Sequence, residues 1–251
     1  MVQAVYRQPS MIPKVIHYCW FGGGEMPELA KRCMTSWRQH MPESEWKYCA
    51  WTEDTFDLTT APTYVQQAYE CRKFAFVSDY VRLWALEQYG GIYMDVDFEV
   101  YKSFAPLLNH PFIAGFDGSK RKAVMMGVIG SEPHGIWVTE MLHTYDDRSF
   151  ILPDGTCDMR PNTGYFTDML EAKGLVCDGV EKDFGNMMHI YPTDYFCPTL
   201  TTGESILSNR TYCDHLGLNS WTTVGWKGKL LGLFPQSIRI KLIKLKRWLL
   251  E

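Results

Sequence analysis

Asp95-Val96-Asp97 sets two carboxylates two residues apart, directly after Tyr89-Gly90-Gly91-Ile92-Tyr93-Met94. In a β-strand, residues i and i+2 face the same side, so both acids project together and Val96 enters the opposite layer. Close carboxylates raise each other's pKa and repel unless something cationic sits between them. Their oxygens suit Mn²⁺ or Mg²⁺, which take one or two protein carboxylates and complete their shell with water and phosphate oxygens. The pair therefore points to a metal site that holds a diphosphate. A solvated strand end is the plain alternative. Against it, the apolar residues ahead of the acids place them beyond the carboxyl end of a buried strand, where open α/β sheets bind ligands.

Upstream, Ser78, Asp79 and Arg82 share one face of a helical stretch. Their neighbours Phe74, Phe76, Val77, Tyr80, Val81, Leu83, Trp84 and Leu86 are apolar nearly all round, so this helix is expected to be buried. A buried Asp and Arg need a partner or a ligand. An ion pair and a ligand-binding role are equally compatible with that pattern. His17, inside an apolar run, reads as a satisfied core histidine, and Trp20 alone reads as core.

These residues need elements to hold them. Lys14 to Trp20 is a β-rich run that stops at Gly22-Gly23-Gly24, a strand feeding a flexible turn. Pro27 suits a first helical turn, and Leu29, Cys33 and Trp37 recur at helical spacing until Pro42. Glu45 to Trp51 forms a second strand, giving a β-α-β opening and favouring a mostly parallel sheet. Tyr64 to Tyr89 contains no Gly or Pro and reads as one or two helices, closed by Gly90 and Gly91. Ile92 to Val100 follows as one strand. Further strands are expected at Phe112 to Phe116, Val124 to Ile129 and Met188 to Tyr191, with helices near Ile136 to Tyr145 and Tyr165 to Lys173.

With 251 residues, 46% of them hydrophobic and 22% charged, the chain can bury a large core, which excludes disorder and small disulfide scaffolds. No linker divides residues 1–225, read as a single domain. The net charge of −4 hides an asymmetry: residues 226–251 carry a surplus of six positive charges, which leaves the rest of the chain at −10. A body of that sign excludes a nucleic-acid partner. Residues 226–251 read as a basic amphipathic tail, with Ile238, Leu242, Leu245 and Leu249 on one stripe. Such a tail suits an anionic membrane surface as well as it suits packing on its own domain. The eight cysteines form no CxxC pair, so buried free thiols and a reducing cytoplasm are expected. No secretory signal or transmembrane run is legible.

Taken together, IPKVIHYCWFGG (Ile12 to Gly23), FVSDYVRLWALEQYGGIYMDVDFEV (Phe76 to Val100) and the late His215-Leu-Gly-Leu-Asn-Ser220-Trp221 resemble glycosyltransferase family 32, the DXD-containing sugar transferases related to glucosylating bacterial toxin domains. The resemblance runs from about Ile12 to Trp221. It implies a GT-A fold, a nucleotide-diphosphosugar donor, a divalent metal and retention of anomeric configuration. Position by position, it implies that Trp20 stacks on the base, that Asp79 and Arg82 bond the donor sugar, and that Asp95 touches the ribose or sugar and the metal shell. Asp97 would ligate the metal together with Asp95 and His215, the histidine lying near the metal and diphosphate, and Ser220 and Trp221 would contact phosphate. Ser78 and Tyr93 fall in the same donor-binding block. The segment Val124 to Glu132 lacks the Asn expected there, and Asn162-Thr163-Gly164 bears a weaker likeness to a turn near the acceptor side.

The function expected from these readings is transfer of a hexose, with a UDP-sugar favoured, to a glycan or lipid-linked glycan acceptor in surface polysaccharide (capsule) synthesis. Mn²⁺ or Mg²⁺ would be the cofactor. The expected location is the cytoplasm, peripheral on the inner face of a bacterial cell membrane. A non-catalytic sugar-nucleotide binding module is one alternative. A metal-dependent nucleotidyltransferase is the other, although Gly22-Gly23-Gly24 lacks the adjacent Lys of a phosphate-cradling loop.

Overall fold

The computed structural model describes residues 12–118, 122–199 and 207–217. The opening β-α-β unit forms as its pattern dictates. β1 (Val15–Cys19) and β2 (Lys47–Trp51) pair in parallel, joined by α1 (Glu28–His40). Pro27 precedes α1, and Met41 N–H closes it by donating to Trp37 O at 2.7 Å before Pro42 intervenes. The stretch free of Gly and Pro forms two helices, α2 (Thr63–Glu70) and α3 (Phe74–Tyr89). The break lies at Arg72, whose φ of +56° no helical residue adopts.

Gly90 and Gly91 end α3 at positive φ and feed β3 (Gly91–Met94). A Cβ at Gly91 would sit 2.6 Å from Val15 O, so only glycine lets β3 close against β1. Beyond β3 the structure departs from the expected single strand over Ile92 to Val100. The ladder with β6 (Val124–Ser131) stops at the Met94 and Val128 pair, and Phe98 N–H bonds Asp95 O at 3.2 Å to form a turn. The chain then leaves the main sheet as β4 (Phe98–Val100), which pairs antiparallel with β9 (Cys213–His215) in a separate two-stranded sheet. Asp95 and Asp97 therefore flank a turn rather than share one strand face.

The other main-sheet strands are β5 (Phe112–Phe116), β7 (Lys182–Asp183) and β8 (His189–Tyr191). Their order is β2-β1-β3-β6-β5-β8-β7. β6 and β7 run against the other five, so the sheet is mostly parallel in direction. Helices cover both faces. Ala30, Met34 and Trp37 of α1 pack with Ile16, Ile92 and Ile113 on one. On the other, α2, α3, α4 (Ile136–His143) and α5 (Asn162–Ala172) pack with Tyr93, Phe112, Ala114 and Ile129. Neighbours 92 and 93, and 112 and 113, fall into opposite layers as strand alternation requires. A short α6 (Thr193–Phe196) precedes the β9 region. All eight cysteines are free thiols. No described helix is long and apolar enough to cross a membrane.

Candidate active site

β1 and β3 are parallel neighbours, with His17 opposite Tyr93, so their carboxyl ends deliver Trp20 and Asp95 to the same sheet edge. Asp95 is fixed from three sides. Its backbone N–H donates to Gly127 O at 2.8 Å. Tyr93 Oη donates to its Oδ1 at 2.7 Å, and Arg82 Nη2 lies 3.3 Å from the same oxygen. Arg82 is buried, and its Nη1 donates to Met126 O at 2.6 Å. Its Nη2 also meets Asp79 Oδ1 at 3.0 Å, and its guanidinium carbon lies 4.5 Å from the centre of the Tyr93 ring. The expected ion pair is thus present, and it includes the first acid of the DXD turn.

Burial raises the Asp79 and Asp95 carboxyls, while the Arg82 cation pulls both back toward ionisation. Burial also opposes charge on Arg82, but Asp95 above all, then Tyr93 and Asp79, hold it firmly protonated. Burial pushes the adjacent Cys19 thiol up to about 12, so it stays neutral.

Asn162, which its sequence context marked only weakly, is a member of this network. Its backbone N–H donates to Asp79 Oδ2 at 3.0 Å, and its Nδ2 donates to Asp79 O at 2.6 Å. Tyr145 Oη donates to Asn162 Oδ1 at 2.6 Å. Asn162 is buried at the start of α5, after Pro161. The segment Val124 to Glu132 contributes backbone instead of an Asn side chain: Met126 O to Arg82 and Gly127 O to Asp95.

The second acid has a different partner. β9 pairs His215 with Phe98, and His215 Nε2 meets Asp97 Oδ2 at 3.2 Å while its ring stacks on Phe98 at 4.7 Å. Burial works against charge on this imidazole, yet the Asp97 carboxylate lifts its pKa well above the ordinary value. Asp95 and Asp97 therefore each face their own cation.

Asp95, Asp97 and His215 do not gather into one compact three-atom ligand set; among the described residues that geometry occurs only at His110, Asp183 and His189. The turn offers two carboxylates with an imidazole behind one of them. That donor chemistry fits a hard divalent ion that completes its shell with diphosphate and water. Space for it is kept at Gly127, where a Cβ would lie 2.9 Å from Asp95 Oδ2 and from the Phe98 ring.

The other expected donor residues divide. Trp20 is half-buried, and its Nε1 donates to Gly24 O at 2.7 Å, which anchors the ring beside the glycine turn. Tyr93 is buried and spends its hydroxyl on Asp95, and Ser78 Oγ donates to Phe74 O within its own helix. Of the two, Tyr93 holds the turn directly, and Ser78 is bonded within its own helix. Ser220 and Trp221 lie outside the described residues. His17 is the satisfied core histidine its setting suggested: Nε2 faces Gly90 O at 2.8 Å, and Trp51 Nε1 donates to Nδ1 at 3.2 Å.

Residues 27–113, which contain Asp79, Arg82, Asp95 and Asp97, match the family described as glycosyltransferase sugar-binding region containing DXD motif. The likeness to DXD glycosyltransferases is thus centred on the segment that holds the paired acids. Inositol phosphoceramide mannosyltransferase 3 of Schizosaccharomyces pombe is 33% identical over 109 residues, 42% of this chain and 30% of that protein. Glucan organizing enzyme 1 of Cryptococcus neoformans is 27% identical over 171 residues, 56% of this chain and 46% of that protein. The chain thus spans less than half the length of these curated relatives. A solved glycosyltransferase involved in the glycosylation of the major capsid of PBCV-1 aligns with 93% of this chain and 100% of its own, with a TM-score of 0.51 and 7% identity. That likeness concerns the fold alone, and it agrees with the GT-A architecture expected of a DXD glycosyltransferase domain.

Proposed function

We propose that the domain is a metal-dependent, retaining hexosyltransferase that uses a nucleotide-diphosphosugar donor. The observation that carries this reading is the placement of Asp95 and Asp97 in a turn at the carboxyl edge of the sheet, each acid held by its own cationic side chain. Asp97, with Asp95 at its side, would hold Mn²⁺ or Mg²⁺, which would supply Lewis-acid stabilisation of the charge on the departing diphosphate. Arg82 and Tyr93 keep Asp95 in one orientation, so no reorganisation is needed as that charge develops. Protonated His215 adds a positive charge beside the same position. Trp20 takes the base, and Asp79, positioned by Asn162 and Arg82, faces the sugar side. Attack by the acceptor hydroxyl comes from the leaving-group face, with the departing phosphate oxygen as base; no protein nucleophile takes part.

The acceptor is a glycan or lipid-linked glycan of surface polysaccharide synthesis, reached from the cytoplasmic face of a bacterial membrane through the basic tail at residues 226–251. The S. pombe relative, an inositol phosphoceramide mannosyltransferase, supports a lipid-borne acceptor and makes a mannosyl donor the alternative to the UDP-hexose favoured by the sequence. A screen of UDP- and GDP-sugars with Mn²⁺, read by thermal shift and by released nucleoside diphosphate, tests this. One donor is expected to stabilise the protein and to yield nucleoside diphosphate. Release of pyrophosphate would instead establish a nucleotidyltransferase, and donor binding without turnover a binding module. Co-sedimentation with anionic vesicles, with and without residues 226–251, tests the membrane reading; equal binding of both forms contradicts it.

A further inference from the structure

At the opposite edge of the main sheet, three side chains from separate parts of the chain meet. His110 precedes β5, His189 opens β8, and Asp183 ends β7. One ligand atom from each lies within 4.8 Å of the others. β5 and β8 run in the direction of β3, so this cluster sits at the amino ends of strands whose carboxyl ends face the DXD edge. Between β3 and β8 lie three strand spacings, about 14 Å.

The hydrogen bonding of His189 is incomplete in an informative way. Its side chain is only 10% exposed, and its Nε2 lies 2.7 Å from Glu181 Oε1. An ionised Glu only accepts, so Nε2 carries a proton, and Nδ1 is the ring atom left to meet a ligand. Among the described residues, Nδ1 is buried with no hydrogen-bond partner. The nearest charged group is the Asp183 carboxylate, 3.8 Å away, itself an acceptor from Gly185 N–H. The His110 ring lies 4.5 Å from the His189 ring, so a second imidazole faces the same space. Two imidazoles and a carboxylate thus bring three ligand atoms within 4.8 Å of one another across a partly buried space, a spacing that one cation can bridge. A carboxylate gripping the far nitrogen of a histidine is also the arrangement that fixes the ring of a metal-bound imidazole.

We infer that His110, Asp183 and His189 form a second metal site, distinct from the DXD turn and selective for a borderline cation such as Zn²⁺. Two imidazoles and one carboxylate suit Zn²⁺ better than Mn²⁺ or Mg²⁺, which favour an all-oxygen shell. Three protein ligands leave a fourth position on the exposed Asp183 side. The ion clips the two-residue strand β7 and the head of β8 to the loop before β5, so it stabilises this sheet edge by binding the folded state.

The test uses the full chain, freed of metal and kept reduced with a phosphine that does not compete for zinc. Zn²⁺ binding is followed by equilibrium dialysis and by the thermal midpoint. Co²⁺ serves as the spectroscopic substitute, because thiolate ligation would show a charge-transfer band that imidazole and carboxylate do not give. One tight Zn²⁺ per chain is expected in the unaltered protein and in Asp95→Asn/Asp97→Asn, with a raised midpoint and no thiolate band. At least a 100-fold loss of affinity is expected in His110→Gln and in Asp183→Asn, whose half-buried and exposed positions leave the core intact. Undiminished zinc binding in both of these variants, loss of binding in the DXD double variant, or a thiolate band would each overturn the proposal.

Discussion

Arg82 Nη2 lies 3.3 Å from Asp95 Oδ1, so a side chain of α3 sets the orientation of the first acid in the DXD turn. The same nitrogen holds Asp79, and Nη1 holds the Met126 carbonyl of β6. One planar fork joins the helix, the turn and the neighbouring strand. Lysine keeps the charge but cannot reach all three partners. Arg82→Lys is therefore expected to lose about 2–3 kcal/mol of stability in urea unfolding, as buried acceptors lose their donors. Sugar transfer should fall by about two orders of magnitude, equivalent to about 2.7 kcal/mol at the transition state. Near-normal transfer by this variant would remove Arg82 from the account.

Asn162 binds Asp79 through its side chain as well as its backbone, and it is in turn held by Tyr145. Asn162→Ala keeps the N–H to Asp79 Oδ2 but removes the side-chain donor to the Asp79 carbonyl and strands the Tyr145 hydroxyl. The expected cost is about 2 kcal/mol by denaturant titration. The KM for donor should rise with it, because Asp79 loses its fixed position. A stability loss with an unchanged donor KM would assign Asn162 to packing alone.

Gly127 lies where a side chain would press on Asp95 Oδ2 and Phe98. Gly127→Ala is expected to cost about 1–3 kcal/mol from overpacking while keeping the fold by circular dichroism. Its Mn²⁺ activation curve should shift to higher concentration. An unshifted curve would mean that this space does not serve the cation.

His17 titrates out of sight of the reaction. Burial depresses its folded pKa below the ordinary 6.5, and the Gly90 carbonyl only partly offsets this. Above about pH 6.5 both folded and unfolded forms are neutral; as the pH falls below that, the unfolded chain takes up a proton that the folded chain resists, so stability is lost. Thermal midpoints at pH 7.5 and 5.5, compared between the unaltered protein and His17→Gln, isolate this contribution. The pH-dependent drop is expected to be smaller in the variant. Equal drops would show that His17 does not report through this linkage.

Where the chain signals its own structure locally, the sequence reading agrees with the fold. The apolar run Phe112 to Phe116 becomes β5 residue for residue, because continuous burial in a central strand leaves no polar position to confuse it. The break inside Ile92 to Val100 was not legible, since Val96 continues the alternation and neither Gly nor Pro marks the turn. It is decided by distant partners: β6 ends its pairing at Met94, and β9 captures Phe98 to Val100. β9 itself, three residues reading Cys-Asp-His, is too short and too polar for any periodicity. The acids, Arg82 and Asp79 were visible as chemistry, but the link from Asp79 to Asn162 spans 83 residues and exists only once α5 docks on α3.

The most direct measurement follows nucleoside diphosphate released from the best donor by the full chain, with Mn²⁺ and with chelator, for the unaltered protein and Asp97→Asn. The account predicts release that requires the metal and falls about 100-fold or more in the variant, while the thermal midpoint stays close to that of the unaltered protein. Full-rate release in chelator, or by Asp97→Asn with Mn²⁺, would contradict it.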